Sequence, residues 1–328
     1  MAGDPAFAMR GLREWWSSHV YSCPTMRFAY LGPEGTFTEE AMVRYAPDAE
    51  GVPCVDVPTV LDAVRMGEAD FAVVPIENSV EGGVNATLDA LAQGSPLMIV
   101  GEVLVPITFT LVARPGTTLA DVRTVGTHPH GWAQCRRWMR DNLPDAVHVP
   151  TTSTAAGAAE IASGEAQYDA ALCSRISAER YDVEVLADGI ADNWHAITRF
   201  VVVSTPKKLP PATGSDKTTL MVHLAHNEAG GLLDMLEQFA VRGVNLSRIE
   251  SRPIGDSLGR YGFSIDAEGH VTEERMQAVL IGLHRVCPLV RFMGSYPSAE
   301  GRQTRLRPGT SDADFIAART WVRSLLDS

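Results

Sequence analysis

From Met26 to about residue 205, short apolar runs alternate with amphipathic stretches. Arg27–Leu31, Val52–Val57, Phe71–Ile76, Met98–Ala113, Thr124–Thr127, Ala146–Val149, Asp169–Cys173 and Arg199–Ser204 predict strands. Thr59–Met66, Val84–Ala92, Trp132–Asn142, Thr154–Ser163 and Arg175–Arg180 predict helices between them. Strands and helices alternating in this way give βαβ units and a mostly parallel sheet, the α/β class. The run Met98–Ala113 is long and carries Pro106, which predicts a crossing into a second lobe, with Thr198–Ser204 as the return. Two such lobes enclose a cleft, and ligands of open α/β sheets lie at the C-terminal strand ends against helix N-termini.

Residues 216–297 follow another pattern. Thr218–Leu224 alternates apolar and polar positions as a half-buried strand, and Gly230–Arg242 is helical with Gly243 as its stop. Asn245–Arg252 and Tyr261–Ala267 read as a hairpin around Gly255–Gly259, before a helix over Thr272–Val286 and a strand over Val290–Tyr296. The order βαββαβ predicts a small antiparallel sheet with two helices on one face, whose open edge pairs with a second copy. In the tail, 298–328, Ser311 caps a helix with Asp314 three positions on. Phe315, Ala318, Val322 and Leu325 form its apolar stripe, predicted to dock on the rest of the protein. Residues 1–25 read as a leader outside the fold, with no signal-peptide pattern.

The chain has 328 residues and a formal net charge of −12, which excludes a phosphate-backbone binder relying on basic stripes. Five cysteines, none in a CxxC pair, predict reduced thiols of a cytoplasmic protein and no zinc site. No uninterrupted apolar run reaches the roughly 18 residues that span a bilayer.

Candidate chemistry collects at strand ends. Gly32–Phe37 (GPEGTF) follows the first strand, with Thr36 placed to cap a helix. Pro75–Val84 brings Glu77, Asn78 and Ser79 to a strand terminus before a diglycine. Gly126–Cys135 offers Thr127 and Gln134, and its His128 and His130 read as solvated rather than metal-binding. Thr151–Glu160 sets several hydroxyls, among them Ser153 and Thr154, at a helix start suited to an anion. Thr198-Arg199-Phe200 opens an apolar strand, where a buried arginine needs a partner and its fork suits a carboxylate. There is no nucleotide fingerprint or Walker A loop.

Taken in order, GPEGTF, PIENS, the helix-opening HP with its later QC, STA, TRF and the ESRP of Glu250–Pro253 resemble a prephenate dehydratase with a fused ACT domain, over about residues 26–297. The resemblance implies a two-lobed catalytic domain over 26–206, similar to type 2 periplasmic binding proteins, and a ferredoxin-like ACT domain over 216–297. It implies a hydro-lyase that converts prephenate to phenylpyruvate, carbon dioxide and water without a cofactor, in phenylalanine biosynthesis. It casts Thr198, Arg199 and Glu77 as catalytic, and Thr36, Asn78, Ser79, Thr127, Gln134, Ser153, Thr154 and Phe200 as substrate-binding. L-Phenylalanine is the implied allosteric effector, held between ACT domains of a homodimer or homotetramer. Its implied residues are Ala229, Gly230, Gly231, Leu232, Asn245, Glu250, Ser251, Arg252 and Pro253. Ala196 stands where the family often has asparagine, Thr127 where it has serine, and His130 where it often has glutamine. The alternatives from other classes are a solute-binding or sensor protein on the same lobes, and a decarboxylase that retains the hydroxyl. Arogenate is a further candidate substrate.

Overall fold

The computed structural model describes residues 25–206, 208–224, 228–253 and 261–326. The leader, Cys23 and the predicted turn over 255–259 lie outside the described residues.

The first sheet is built from β1 (Arg27–Leu31), β2 (Glu50–Cys54), β3 (Phe71–Asn78), the short β4 (Gly82–Gly83), β5 (Met98–Pro106) and β11 (Ile197–Ser204). Its order is β2-β1-β3-β11-β5, with β4 paired to β3. β1 runs parallel to both β2 and β3. Helices α1 (Phe37–Tyr45), α2 (Val57–Arg65) and α3 (Asn85–Ala92) connect these strands. The predicted strand over Val52–Val57 ends early because Asp56 caps α2, accepting from the Thr59 N–H at 2.8 Å.

The second sheet has the order β10-β6-β9-β7-β8, formed by β6 (Thr110–Ala113), β7 (Thr124–Thr127), β8 (Val147–Pro150), β9 (Ala170–Cys173) and β10 (Glu184–Ala187). β7 is parallel to β8 and β9, whereas β6 is antiparallel to β9 and β10, so this sheet is mixed. The chain enters it between β5 and β6. It returns through 188–196 rather than along Thr198–Ser204, which lies wholly within the first sheet. Its helices are α4 (Pro129–Gln134), α5 (Arg136–Asn142), α6 (Thr154–Ser163) and α7 (Arg175–Arg180). The single helix predicted over Trp132–Asn142 breaks at Cys135, because the Asp192 carboxylate accepts from the Arg137 and Trp138 N–H groups and starts α5 afresh.

A third, four-stranded sheet has the order β13-β14-β12-β15, from β12 (Asp216–His223), β13 (Leu246–Pro253), β14 (Tyr261–Glu268) and β15 (Leu289–Pro297). The pairs β12–β14, β12–β15 and β13–β14 are antiparallel. Helices α8 (Gly231–Ala240) and α9 (Glu274–Val286) complete the strand–helix–strand–strand–helix–strand order, and they share a core with Leu220, Val222, Ile265 and Ala267. The terminal α10 (Asp312–Leu326) departs from expectation: none of its residues is buried. Its polar side is what attaches it. Asp312 accepts from the Glu274 N–H at 2.8 Å and Arg319 pairs with Glu274. At about 100° per residue the apolar stripe is turned roughly a quarter circle from that side, which leaves Trp321, Val322 and Leu325 exposed.

The described residues form two compact units. The first takes in residues up to Leu91 together with Val103–Val202; the second takes in Ala92–Glu102 and the chain from Val203 onward. The boundary therefore falls inside β5 and β11. Within the second unit, Glu102 is wholly buried and paired to Lys217 at 2.9 Å, and it also accepts from the Ala299 N–H. No helix among the described residues is long and apolar enough to cross a membrane.

Candidate active site

β3 and β11 are neighbours, and their ends bring five predicted residues together. The Asn78 Nδ2–H donates to Thr198 Oγ1 at 2.8 Å. Asn78 Oδ1 accepts from the Val80 and Glu81 N–H groups at 2.8 and 3.2 Å, which fixes the orientation of the amide. Ser79 continues the ladder: its N–H donates to Ile197 O, and its Oγ accepts from the Ile197 N–H, both at 2.9 Å. Arg199 Nη1 lies 3.5 Å from Glu77 Oε2, with the arginine side chain buried and the glutamate partly exposed. Phe200 is buried in the same strand.

A second cluster forms on the second sheet, where β7 leads into α4 and β8 into α6. Thr127 is buried and donates to Leu172 O at 2.9 Å, so its proton is committed to the fold. A Cβ at Gly131 meets Thr127 Oγ1 at 2.9 Å and Thr154 Cγ2 at 3.0 Å, so this glycine allows α4, Thr127 and Thr154 to close on one another. Ser153 caps α6, accepting from the Ala156 N–H at 3.0 Å. Gln134 Oε1 is buried with no hydrogen-bond partner among the described residues, an arrangement that calls for a ligand or water donor.

Thr36 is used differently. Its hydroxyl donates to Leu31 O at 2.9 Å and accepts from the Glu39 N–H at 3.3 Å, which makes it the cap of α1. Sequence reading missed the bracket on this loop. Ser174 and Ser177 both donate to Gly35 O at 2.8 and 2.6 Å, Arg180 pairs with Glu34 and Glu39, and the Tyr181 hydroxyl donates to Glu34 O. Gly35 has φ +84° and faces Ser177, so both the turn and the close approach require glycine.

The histidines are not merely solvated. His128 caps α4, with its Nδ1 accepting from the His130 N–H at 3.3 Å, and burial followed by the neighbouring His130 charge lowers its pKa. His130 Nδ1 lies 2.6 Å from Glu81 Oε2. The described cysteines 54, 135, 173 and 287 are free, and burial pushes the Cys135 and Cys173 thiols up to about 12, which keeps them protonated and unreactive. Among the described residues no cluster of His, Cys, Asp and Glu is arranged to hold a metal ion.

The prephenate dehydratase family model matches residues 28–208, the stretch that carries both clusters. The chain belongs to the prephenate dehydratase family. A prephenate dehydratase of Amycolatopsis methanolica is 45% identical over 301 residues, covering 91% of this chain and 97% of the relative. A solved prephenate dehydratase from Arthrobacter aurescens, in complex with L-Phe, is 52% identical with a TM-score of 0.88, covering 92% of this chain and all of the other. A structure described as a novel type of quorum-quenching acylase is also similar, at 30% identity and a TM-score of 0.76, covering 83% of this chain and 98% of the other. The mixed α/β architecture is thus that of solved family members.

For this prephenate dehydratase family member, the implied effector residues fall on α8 and the edge strand β13. Gly230, at φ +95°, opens α8, followed by Gly231 and the partly exposed Leu232, with Ala229 just before. Asn245 follows the C-terminal end of this ten-residue helix, which is about 15 Å long, and its Nδ2–H donates to Glu268 Oε1. Glu250, Ser251, Arg252 and Pro253 close β13, where Glu250 is 3.3 Å from Arg248.

Proposed function

We propose that this chain is a prephenate dehydratase that releases carbon dioxide and water from prephenate to give phenylpyruvate. In this reading 26–206 form the catalytic domain, and 216–297 form an ACT domain that binds L-phenylalanine between two copies of the chain. Glu77, Asn78, Thr198 and Arg199 face the reaction, while Gln134 and the start of α6 face the rest of the substrate, and Thr127, whose proton is held by Leu172 O, supports them from beneath.

The observation that carries the reading is the Asn78–Thr198 hydrogen bond. Thr198 Oγ1 accepts from an amide whose own acceptor is occupied by two backbone N–H groups, so its proton points away from Asn78. That hydroxyl is available to donate to the departing oxygen. An aliphatic hydroxyl is too weak an acid to surrender its proton at neutral pH, so it stabilises the leaving hydroxide by a hydrogen bond. As the ring C–O bond breaks, the ring carboxylate leaves as carbon dioxide, and its bonding electrons complete the aromatic ring. The leaving hydroxide takes a proton from the site or from water. Arg199 presents a planar fork for a substrate carboxylate, with Glu77 beside it. Position, hydrogen bonding and aromatisation suffice for this chemistry, and no residue is assigned to a cofactor.

The regulatory half is supported by the L-Phe complex of the Arthrobacter aurescens relative and by the edge position of β13 in the third sheet. Incubation with prephenate, with and without L-phenylalanine, tests both parts. Phenylpyruvate is the expected product, formed more slowly when phenylalanine is present. A non-aromatic keto acid that retains the hydroxyl places the chain among the decarboxylases, and hydrolysis of an acyl amide without turnover of prephenate places it with the acylase.

A further inference from the structure

Glu81 lies in the turn between β3 and β4 of the first sheet and His130 in the helix that follows β7 of the second, and neither belongs to the proposed catalytic or substrate-binding set. Glu81 follows β3 in the turn that Asn78 organises, with Asn78 Oδ1 holding the Glu81 N–H at 3.2 Å. His130 lies in the first turn of α4, where its N–H donates to the capping His128. Their side chains meet at 2.6 Å. A continuous chain of contacts therefore runs from Thr198 Oγ1 to Asn78, through the backbone of Glu81 to its carboxylate, and on to His130 at the head of α4. Gln134 lies one turn further along that helix. On its other flank the helix is braced by Trp132, stacked on His148 with ring centroids 4.9 Å apart and planes 8° apart.

We infer that Glu81 and His130 are positioning residues that clasp the end of β3 to the start of α4 and so set the distance between the two halves of the substrate site. Thr198, Asn78 and Arg199 lie on one side of the clasp, with Gln134 and the start of α6 on the other. A rigid dianion gripped from both sides binds well only at one separation. The clasp holds that separation before substrate arrives, so it acts on binding and not on the chemical step. Its strength is modest because the side chains are 61% and 41% exposed. Glutamine at position 130 would offer a side-chain N–H to Glu81 without a charge, so His130→Gln separates the donor from the charge.

The kinetic arm rests on the proposed function; the exchange arm does not. Glu81→Ala and His130→Ala are each expected to raise KM about 2–5-fold with kcat unchanged, the range for a partly exposed pair acting on binding alone. His130→Gln is expected to restore KM, and the Glu81→Ala/His130→Ala double variant to be no worse than either single. Hydrogen–deuterium exchange on the full-length, ligand-free chain should show faster amide exchange over 128–135 in Glu81→Ala, by a similar ~2–5-fold, and wild-type rates in His130→Gln. Effects that multiply in the double variant, a fall in kcat at constant KM, or failure of glutamine to restore KM overturn the clasp. Unchanged exchange in Glu81→Ala overturns it whatever the substrate. If the wild-type chain does not turn over prephenate, the proposed function fails while the exchange measurement still decides the clasp.

Discussion

A hydroxyl group is only as useful as the direction of its proton, and at Thr198 that direction is set by the Asn78 amide. Thr198→Val keeps the shape and removes the donor, so kcat should fall at least ~10²-fold while KM changes much less, as steady-state rates on prephenate will show. Asn78→Asp is the sharper variant. A carboxylate there accepts from Thr198 and turns its proton back, so kcat should fall nearly as far, and adding Thr198→Val should cost little more. Activity within a few-fold of wild type in either variant removes the hydroxyl from the mechanism. His128 carries a pH prediction. Its folded-state pKa lies below the ordinary 6.5, through burial first and then the charge of His130. A group lowered in this way stabilises the fold above pH 6.5, and that contribution is lost as pH falls through the lowered value. His128→Asn keeps a capping acceptor and should flatten the acid-side loss of stability in denaturant midpoints measured along a pH series. An unchanged slope assigns the loss to other groups. At this scale much was legible in the sequence, because polar residues at strand ends announce themselves. The Glu81–His130 pair was not, since 49 residues separate the partners and neither has a pattern of its own.

At the level of elements, periodicity located most strands and helices but not their ends, which are fixed by partners remote in sequence. Asp192 breaks one predicted helix in two, and Asp56 ends a predicted strand. β10 escaped notice because it is short and half exposed at a sheet edge, where burial imposes little pattern. For α10, the apolar stripe was visible in the sequence, but not that two polar contacts would turn it outward. β5 offers a direct energetic test. Its Glu102 is fully buried against Lys217, and removing one partner of such a buried ion pair typically costs about 3–5 kcal/mol. Lys217→Met should therefore lower the denaturation midpoint strongly. Glu102→Gln combined with Lys217→Met should recover most of the loss, since no buried charge remains. A single variant as stable as wild type shows that water or another cation reaches Glu102.

The whole molecule joins a unit that carries all the proposed catalytic and substrate-binding residues to one that holds none of them, and that second unit needs a reason to be there. Coupling requires only that L-phenylalanine bind a low-activity arrangement more tightly than an active one, typically by ~1–3 kcal/mol. Cutting the chain before residue 216 is a poor way to ask the question. Ala92–Glu102 packs with the second unit, and the cut takes away both that unit and Lys217, the ion-pair partner of the buried Glu102. Point changes at the proposed effector site keep this packing. Gly230 has φ +95° and open space around the position of a Cβ, so Gly230→Ala strains the start of α8 without a clash, a local penalty of about 1–2 kcal/mol. Ser251 is exposed on the edge strand, and Ser251→Ala removes a single hydroxyl. Both variants should raise the phenylalanine concentration needed for half-inhibition and leave kcat in its absence unchanged, since neither residue belongs to the proposed catalytic or substrate-binding set. Calorimetric titration of the full-length chain supplies the independent measurement: phenylalanine binding should weaken in the same variants by the same factor. If the wild-type chain neither binds L-phenylalanine nor slows in its presence, the second unit does not serve as a phenylalanine sensor, and the same titration with tyrosine or other amino acids identifies the effector it does read.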